Sequence, residues 1–509
     1  GGIGTYVKAR DETSAEVGDR ANDALRVNGA DLNCQVVGEG GNLGFTQRGR
    51  IEFASKGGRI NTDAVDNSGG VDCSDREVNI KILLNAVVAD GELTTKQRDR
   101  LLKDMTDDVA ELVLIDNYRQ GEAITLLERA APALLENHTR FMRLLQRDGK
   151  LDREIENLPG DEDLADRAAA HAGLTRPELA VLLAYGKMTL SQDFLGSDLP
   201  DDAYLTADLI HGFPRQLRDD YRGGIVNHPL RRELTATVVA NSMVNRVGPS
   251  FYTVLSEETG LGAGEIGRAY VIARDAFDLR TLWRAIGELD NKVNADVQVR
   301  MLQDISDLLR RECVWFLNGV PGPLDIGQVM TDYQPGIVEL CKGIKGLLAD
   351  FGAEAHGRRE QELIDDGVPE RLASRVAGLD PLASACDIVS VANRVDRSVP
   401  DVARVYFSLG ARLGLDWIRA AAERMQSDDH WERLAIAAVV EDLFGQQQAL
   451  THAALCCANG GDPVVLWADG HADAVARCQS LIDDLKGAGD LNVAKLTYAN
   501  RRIRSLISD

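Results

Sequence analysis

Between residues 35 and 74, β-branched runs alternate with apolar residues at helical spacing. The predicted elements are a strand at 35–37, a glycine-rich turn at 38–44, a helix at 45–55, a strand at 59–61 and a turn at 67–70 that opens a long helix. This order is typical of a doubly wound α/β sheet. Ligands of such sheets bind beyond the carboxyl ends of the strands, where both turns are expected to lie.

Most of the remaining chain repeats apolar residues at the spacing of an α-helix. Helices are predicted at 14–28, 74–89, from Thr94 or Thr95, at 122–147, after the capping box of Thr175 and Glu178, and at 230–246, 264–277, 279–289 and 294–317. Pro132 predicts a kink or a junction of two helices. A loop-rich connection is predicted at 321–335, and further helices follow with breaks near 367–369, 400 and 458–461.

The turn at 38–44 partly matches a dinucleotide-binding fingerprint. Gly38, Gly40 and Gly44 follow a strand, and Asp63 lies where a ribose-binding acid is expected. Leu43 stands where the third glycine belongs, so this pattern alone favours an ordinary strand-to-helix turn. The glycines are expected to supply positive φ angles and a backbone without Cβ atoms against a ligand.

The acidic composition limits the classes of partner. The formal net charge is −23, from 57 basic and 80 acidic residues. We therefore expect no nucleic acid and no membrane as partners, because anionic surfaces of both kinds attract clustered basic residues. The length of 509 residues allows about three or four domains.

Cysteine and histidine usage predicts no metal site. The eight cysteines form no CxxC motif, and the eight histidines have no partners at ligand spacing. Cys456 and Cys457 are predicted to be two buried thiols, which fits a reducing cytoplasm. His228, which precedes Pro229, is predicted to have a structural role at a helix entry.

Two glycine-containing segments carry a family resemblance. Glu39-Gly40-Gly41-Asn42 and Asn67-Ser68-Gly69-Gly70-Val71 resemble the paired EGAN and NAGGV elements of the glutamate dehydrogenase superfamily. Four longer segments are similar in sequence to the large NAD-specific glutamate dehydrogenases. They are GGIGTYVKA, VGDRANDALRVNG, VVGEGGNLGFTQRGRIEFA and NHPLRRELTATVVANSMVNRVGPSF. These segments span roughly the first half of the chain.

The resemblance implies NAD as cofactor and the oxidative deamination of L-glutamate to 2-oxoglutarate and ammonia. The implied cofactor-binding residues are Gly40, Gly41, Asn42, Asn67, Gly69 and Gly70. Asn42 would contact the nicotinamide ribose and Asn67 the carboxamide, whose donor and acceptor an Asn side chain can both satisfy. Val71 would pack on the substrate's methylenes, and Ser74, in the first turn of a helix, would hydrogen-bond the γ-carboxylate. Asp72 departs from the family pattern and is unexpected beside a dicarboxylate site.

The implied fold is an α/β remnant of a doubly wound, Rossmann-like nucleotide-binding domain followed by a large, mainly α-helical region. We predict the end of the NAD-binding and catalytic domain with trailing helices at 1–150, a helical domain at 151–330 and a C-terminal helical domain at 331–509. In the family, most of the catalytic domain precedes the segment that resembles GGIGTYVKA. This chain is therefore expected to be a C-terminal fragment. The catalytic Lys and Asp are expected upstream, and no catalytic residue is assigned here. The parent enzyme is expected to be a homo-oligomer, and the fragment alone is expected to be inactive.

Two other functions stay open at this point. The chain could be a helical assembly or regulatory module with no catalytic role, or an unrelated nucleotide-binding protein whose glycine turn is its whole site. Nucleotide binding by this chain alone would favour the second of these alternatives.

Overall fold

A computed structural model describes residues 3–425, 430–457, 460–489 and 491–508. The chain divides into two compact units, Gly1–Tyr270 with Gly322–Leu324, and Val271–Pro321 with Asp325–Asp509. Helices make up most of both units, which confirms the predicted helical region. The predicted regions 1–150 and 151–330 do not map one to one on these units, and their boundaries stay a prediction.

The strands lie at the start of the first unit. Strands β1 (Val7–Lys8) and β2 (Val27–Asn28) pair in parallel, and single parallel bridges join Val7 to Phe45 and Val36 to Arg59. The helices of this unit are α1 (Ser14–Val17), α2 (Gln47–Ser55), α3 (Asp63–Asp66), α4 (Ser68–Ala89), α5 (Thr95–Asp104), α6 (Thr106–Arg147), α7 (Asp161–Ala169), α8 (Arg176–Leu195), α9 (Thr206–His211), α10 (Arg215–Arg218), α11 (Arg222–Val226), α12 (Arg231–Val247) and α13 (Phe251–Thr259). Short 3₁₀ helices lie at Arg20–Leu25, Gly29–Asp31, Leu199–Asp201 and Ala203–Leu205.

The predicted helix at 14–28 is wrong. Helix α1 ends at Val17 because Gly18 adopts a left-handed conformation with φ +78°. The chain then forms a 3₁₀ helix and turns into β2, whose hydrogen bonds with β1 replace those of a continuing helix.

Pro132 does not interrupt α6, which runs unbroken from Thr106 to Arg147. A proline in a helix loses one backbone hydrogen bond and costs about 3 kcal/mol. Leu127, Ala131 and Leu135 lie buried on the same stretch of α6, and their burial offsets that cost. The predicted junction of two helices is therefore wrong, and the alternative, a kink at Pro132, stays a prediction.

An apolar cluster fixes α4 in the first unit. Ile80, Leu83 and Leu84 of α4 are buried with residues of α9 and α11. His228 links α4 to the start of α12. Its Nε2 lies 3.1 Å from the carbonyl oxygen of Asn79, and its Nδ1 accepts from the amide of Leu230. This contact confirms the structural role predicted for His228.

Helix α14 (Ala263–Ala276) spans the change from the first unit to the second. The second unit continues with α15 (Leu279–Gly287), α16 (Ala295–Gly319), α17 (Ile326–Gly343), α18 (Asp350–Asp365), α19 (Glu370–Ala377), α20 (Leu379–Leu382), α21 (Ala385–Val395), α22 (Val399–Leu413), α23 (Leu415–Glu423), α24 (His430–Cys457), α25 (Pro463–Gly470), α26 (Ala472–Gly487) and α27 (Val493–Ser508), with a 3₁₀ helix at Ile344–Gly346. Among the described residues, no helix has a stretch long and apolar enough to cross a membrane.

Two predictions for the second unit are wrong. The predicted loop at 321–335 is mostly α17, because Ile326, Val329 and Met330 form a buried helical face and Pro335 is accommodated within the helix. Cys456 and Cys457 are free and exposed rather than buried, since they end α24. The predicted break at 458–461 falls partly on residues 458 and 459, which lie outside the described residues.

Candidate functional site

Two short extended segments, around residues 35–37 and at Arg59, place the glycine turn at 38–44 beside the loop at 61–67. The amide of Val37 donates to the carbonyl of Arg59 at 3.0 Å, and the amide of Arg59 donates to the carbonyl of Gln35 at 2.9 Å. Because the segments are parallel, the chain leaves both of them on the same side. The turn at 38–44 and the loop at 61–67 are therefore neighbours.

A buried ion pair ties the glycine turn to α2. Glu39 and Arg50 are each 5% exposed, and the Nε of Arg50 lies 2.6 Å from Oε2 of Glu39. The other carboxylate oxygen accepts from Nη2 of Arg50 at 3.1 Å and from the amide of Phe45 at 3.0 Å. Burial raises the pKa of the Glu39 carboxyl, and the Arg50 guanidinium opposes that effect. The sequence analysis missed this pair, although Glu39 stands in the resembling motif.

Two aspartates hold the turn against the loop. Oδ2 of Asp63 accepts from the amide of Leu43 at 2.7 Å, and Oδ1 of Asp63 lies 3.1 Å from Nη2 of Arg50. Asp66 accepts from the amide of Glu39 at 3.0 Å. Both oxygens of Asp63 are therefore used within the protein, which argues against its predicted place as a ribose-binding acid.

The glycines of the turn do not adopt positive φ angles, contrary to expectation. The left-handed residue of the turn is Leu43, with φ +60°. A Cβ atom built on Gly40 or Gly41 would meet nothing within 4 Å. These two glycines thus present bare backbone to open space.

The two resembling segments touch through their asparagines. Nδ2 of Asn67 donates to Oδ1 of Asn42 at 2.6 Å. Asn67 directly precedes α4, but its side chain does not cap that helix. Among the described residues, Nδ2 of Asn42 and Oδ1 of Asn67 have no hydrogen-bond partner, so the pair keeps a donor and an acceptor free.

Helix α4 begins earlier than predicted, at Ser68, so Gly69 and Gly70 are helical residues of its first turn. Ser74 therefore lies in the second turn, and its predicted place in the first turn is wrong. Its hydroxyl donates to the carbonyl of Gly70 at 3.3 Å. Val71, which is 74% exposed, and Ser74 share an outward face of α4.

An ionic cluster that the sequence analysis missed lies on another face of α4. Oδ1 of Asp72 is 3.2 Å from Nε of Arg76. Nη2 of the same arginine pairs with Asp116 of α6. Burial raises the pKa of Asp72 and lowers the pKa of Lys187 in α8 to about 8. Residues 72 and 74 are about 200° apart around a helix, so the Asp72 carboxylate does not share the face of Ser74.

Three long-range hydrogen bonds, from Asn117 of α6 and Arg176 of α8, hold the loop and the start of α4. Nδ2 of Asn117 donates to the carbonyl of Val65 at 2.7 Å and to the hydroxyl of Ser68 at 3.0 Å. Nη2 of Arg176 donates to Oδ1 of Asn61 at 2.9 Å. No local pattern could have revealed these partners, because each pair is separated by about 50 residues or more. Within the described ranges, no group of three or more His, Cys, Asp or Glu side chains is arranged to hold a metal ion.

Two family models match the chain. Residues 1–127 match the model described as bacterial NAD-glutamate dehydrogenase, catalytic domain. Residues 171–505 match the model described as glutamate dehydrogenase, C-terminal. The first match contains every residue of the candidate site described above except Arg176 and Lys187.

Curated relatives resemble the chain along nearly its whole length. Each is named NAD-specific glutamate dehydrogenase. The protein from Halomonas elongata is 45% identical over 96% of this chain, that from Pseudomonas aeruginosa 42% over 99%, and that from Mycobacterium tuberculosis 36% over 99%. The matched region makes up 30%, 32% and 31% of these relatives, so the chain spans about a third of their length.

Proposed function

The chain belongs to the glutamate dehydrogenase C-terminal family, and on that premise we propose that it is part of an enzyme that deaminates L-glutamate oxidatively with NAD. The contact between Asn67 and Asn42 carries this proposal, because it joins the two segments that resemble the family's cofactor loops. The match of residues 1–127 to a catalytic-domain model supports the same assignment.

The edge formed by the two loops fits a nicotinamide cofactor. Gly40 and Gly41 offer backbone without Cβ atoms to open space. The free acceptor of Asn67 and the free donor of Asn42 match the hydrogen-bonding groups of a carboxamide and a ribose hydroxyl. A Cβ atom at Gly70 would lie 3.3 Å from Oδ1 of Asn67, so a glycine at this position leaves that acceptor uncrowded. NAD, when bound, supplies the hydride acceptor of the reaction.

The outward face of α4 is the proposed substrate side. Val71 would pack on the methylenes of glutamate, and the Ser74 hydroxyl would donate to its γ-carboxylate, as it now donates to the carbonyl of Gly70. In the reaction the Cα–H bond of glutamate breaks with loss of a hydride, and water adds to the resulting iminium. Release of ammonia then gives 2-oxoglutarate. We assign no residue of this chain to proton transfer and propose that those groups lie outside it.

We propose that residues 1–74 are the remnant of a doubly wound nucleotide-binding domain. The parallel bridges of Val7 with Phe45 and of Val36 with Arg59 support this proposal. The homo-oligomer is proposed from the family resemblance alone. The cytoplasmic location and the three sequence regions remain predictions.

The test uses the full-length enzyme that contains this chain. We expect NADH to form only when L-glutamate and NAD are both present. Asn42→Ala combined with Asn67→Ala should lower kcat/KM for NAD at least ~10-fold, since two contacts that orient the nicotinamide are lost. The control is Asn85→Ala, at an exposed position of α4, which should leave kcat/KM unchanged. Failure of the enzyme to oxidise L-glutamate would contradict the assignment, whereas an unaffected double variant would remove only the two asparagines from the site.

A further inference from the structure

Leu43 has an unusual backbone conformation for its residue type. It is the left-handed residue of the glycine turn, with φ +60°. This conformation is disfavoured for leucine because it brings Cβ close to the following carbonyl oxygen, whereas glycine adopts it freely. The turn contains four glycines, yet the left-handed position is occupied by a leucine.

Charged residues hold the backbone of Leu43 in this conformation. Its amide donates to Oδ2 of Asp63 at 2.7 Å, and Oδ1 of Asp63 lies 3.1 Å from Nη2 of Arg50. Arg50 is buried against Glu39, which belongs to the same turn as Leu43. The left-handed conformation is therefore fixed by contacts from α2 and α3.

The side chain of Leu43 gains little from packing within the first unit. Leu43 is 61% exposed, so the described chain covers only a small part of its apolar surface. Burial therefore does not offset the unfavourable backbone conformation. Strained residues that the surrounding structure holds in place occur preferentially at active sites and ligand contacts. This combination indicates a role for the Leu43 side chain outside the core.

Leu43 lies beside the proposed contacts of the nicotinamide. It directly follows Asn42, so the Cα atoms of the two residues are about 3.8 Å apart. Asn42 accepts from Asn67 at 2.6 Å, and these two asparagines are the proposed partners of the nicotinamide ribose and carboxamide. A cofactor group that is hydrogen-bonded to Asn42 would be within reach of a leucine side chain one residue away.

The two asparagine amides match polar groups of the cofactor but offer it no apolar surface. The dihydronicotinamide ring of NADH is uncharged and has two flat faces, and hydride transfer is favoured where water is excluded from the ring. We propose that the Leu43 side chain packs on the nicotinamide end of the bound cofactor and shields it from water. This inference rests on the proposed dehydrogenase function and adds a cofactor-contacting residue to it.

Two other partners of the Leu43 side chain make different predictions. The first is a part of the enzyme outside this chain, which spans about a third of its relatives' length. A polar substitution of Leu43 would then lower the stability of the ligand-free enzyme. The second is the adenine end of the cofactor, and the same substitution would then weaken the binding of ADP as much as that of NADH.

The test is calorimetric titration of the full-length enzyme with NADH and with ADP, which lacks the nicotinamide and its ribose. Leu43→Asn keeps a side chain of similar size that tolerates the left-handed conformation, but it removes the apolar surface. We expect NADH to bind this variant ~10-fold more weakly, because a few lost apolar contacts with a ligand have about this effect. ADP should bind it as it binds the parent enzyme. Leu43→Met retains an apolar side chain and should restore most of the NADH affinity.

The matched control is Leu25→Asn, at a leucine of the first unit that is 67% exposed and lies outside both loops. It should leave NADH affinity unchanged. Thermal unfolding of the ligand-free enzyme checks the fold, and Leu43→Gly, which fits φ +60° without strain, decides the question if Leu43→Asn unfolds the first unit.

Three results would overturn the proposal. They are parent-like NADH affinity in Leu43→Asn, equal weakening of NADH and ADP binding, and lower ligand-free stability with unchanged NADH binding. If the parent enzyme itself bound no NADH, the proposed function would fail and this inference with it. Weaker NADH binding in Leu43→Asn with unchanged ADP binding and unchanged ligand-free stability would support the contact.

Discussion

Asn67 donates a 2.6 Å hydrogen bond to Asn42 across 25 residues of sequence. This bond is the direct contact between the glycine turn and the start of α4. The same loops are also held by the ion pair of Glu39 with Arg50 and by the contacts of Asp63 with Leu43 and Arg50. The two asparagines are therefore fixed relative to each other, with amide groups left for a ligand.

The first prediction concerns the coupling of these asparagines. In the full-length enzyme, Asn67→Ala should lower kcat with NAD more than it changes KM for glutamate, because the nicotinamide loses its orientation. The effects of Asn42→Ala and Asn67→Ala should be non-additive by about 0.5–1.5 kcal/mol in a double-mutant cycle on kcat/KM. Equal kcat in Asn67→Ala and the parent enzyme, or strict additivity, would contradict the shared role.

Ser74→Ala should raise KM for glutamate about 10- to 150-fold with little change for NAD, because a hydrogen bond to a charged carboxylate is lost. Steady-state kinetics with each substrate varied in turn gives both values. Cys73→Ala, a change at the neighbouring exposed position of α4, is the control and should leave KM for glutamate unaltered. An unchanged KM in Ser74→Ala would remove this hydroxyl from the substrate side.

Leu43→Gly should stabilise the first unit. A left-handed conformation costs a leucine roughly 1–2 kcal/mol, and glycine avoids this cost at φ +60°. Part of the gain is lost, because glycine is more flexible in the unfolded chain. We expect a net gain of roughly 0.5 kcal/mol in the free energy of urea unfolding, since Leu43 is 61% exposed and buries little surface. Destabilisation would indicate that the Leu43 side chain makes a contact needed for the turn.

His138 should make the first unit sensitive to acid. It is fully buried in α6, neither ring nitrogen has a partner among the described residues, and burial lowers its pKa to about 4. A pKa lowered in the folded state gives stability that is present above the unfolded value of 6.5 and is lost as pH falls towards 4. The loss amounts to about 3 kcal/mol over that interval.

His138→Leu removes the titrating group and should make unfolding free energy less dependent on pH between 6.5 and 4. Urea unfolding at several pH values measures this difference. The explanation fails if His138→Leu loses stability with acid as steeply as the parent chain.

By itself, the 509-residue chain should fold and yet form no NADH from glutamate and NAD. The proposed substrate face is open, with Val71 74% exposed, and hydride transfer requires positioning and exclusion of water. Far-UV circular dichroism should report a strongly helical chain. Turnover above background would reveal a catalytic residue in this chain that the present assignment lacks.

Local sequence signals determined many helix boundaries. Thr175 and Glu178 form the predicted capping box at the start of α8, and α12, predicted at 230–246, runs from Arg231 to Val247. Such signals work because a cap or a stop depends on hydrogen bonds between residues only a few positions apart. The same locality explains why the two glycine segments could be recognised before their contact was known.

Only the tertiary structure decided how those segments are held and what they expose. It placed Asp63 on Arg50 rather than towards a ribose, moved Ser74 to the second turn of α4 and directed Asp72 to Arg76. Asp72 and Arg76 are neighbours within α4, but the pairing of Arg76 with Asp116 of α6 and that of Asp63 with Arg50 depend on where the chain folds back. The sequence by itself therefore determined the helices and the motif residues, whereas packing decided which polar groups remain free for a ligand.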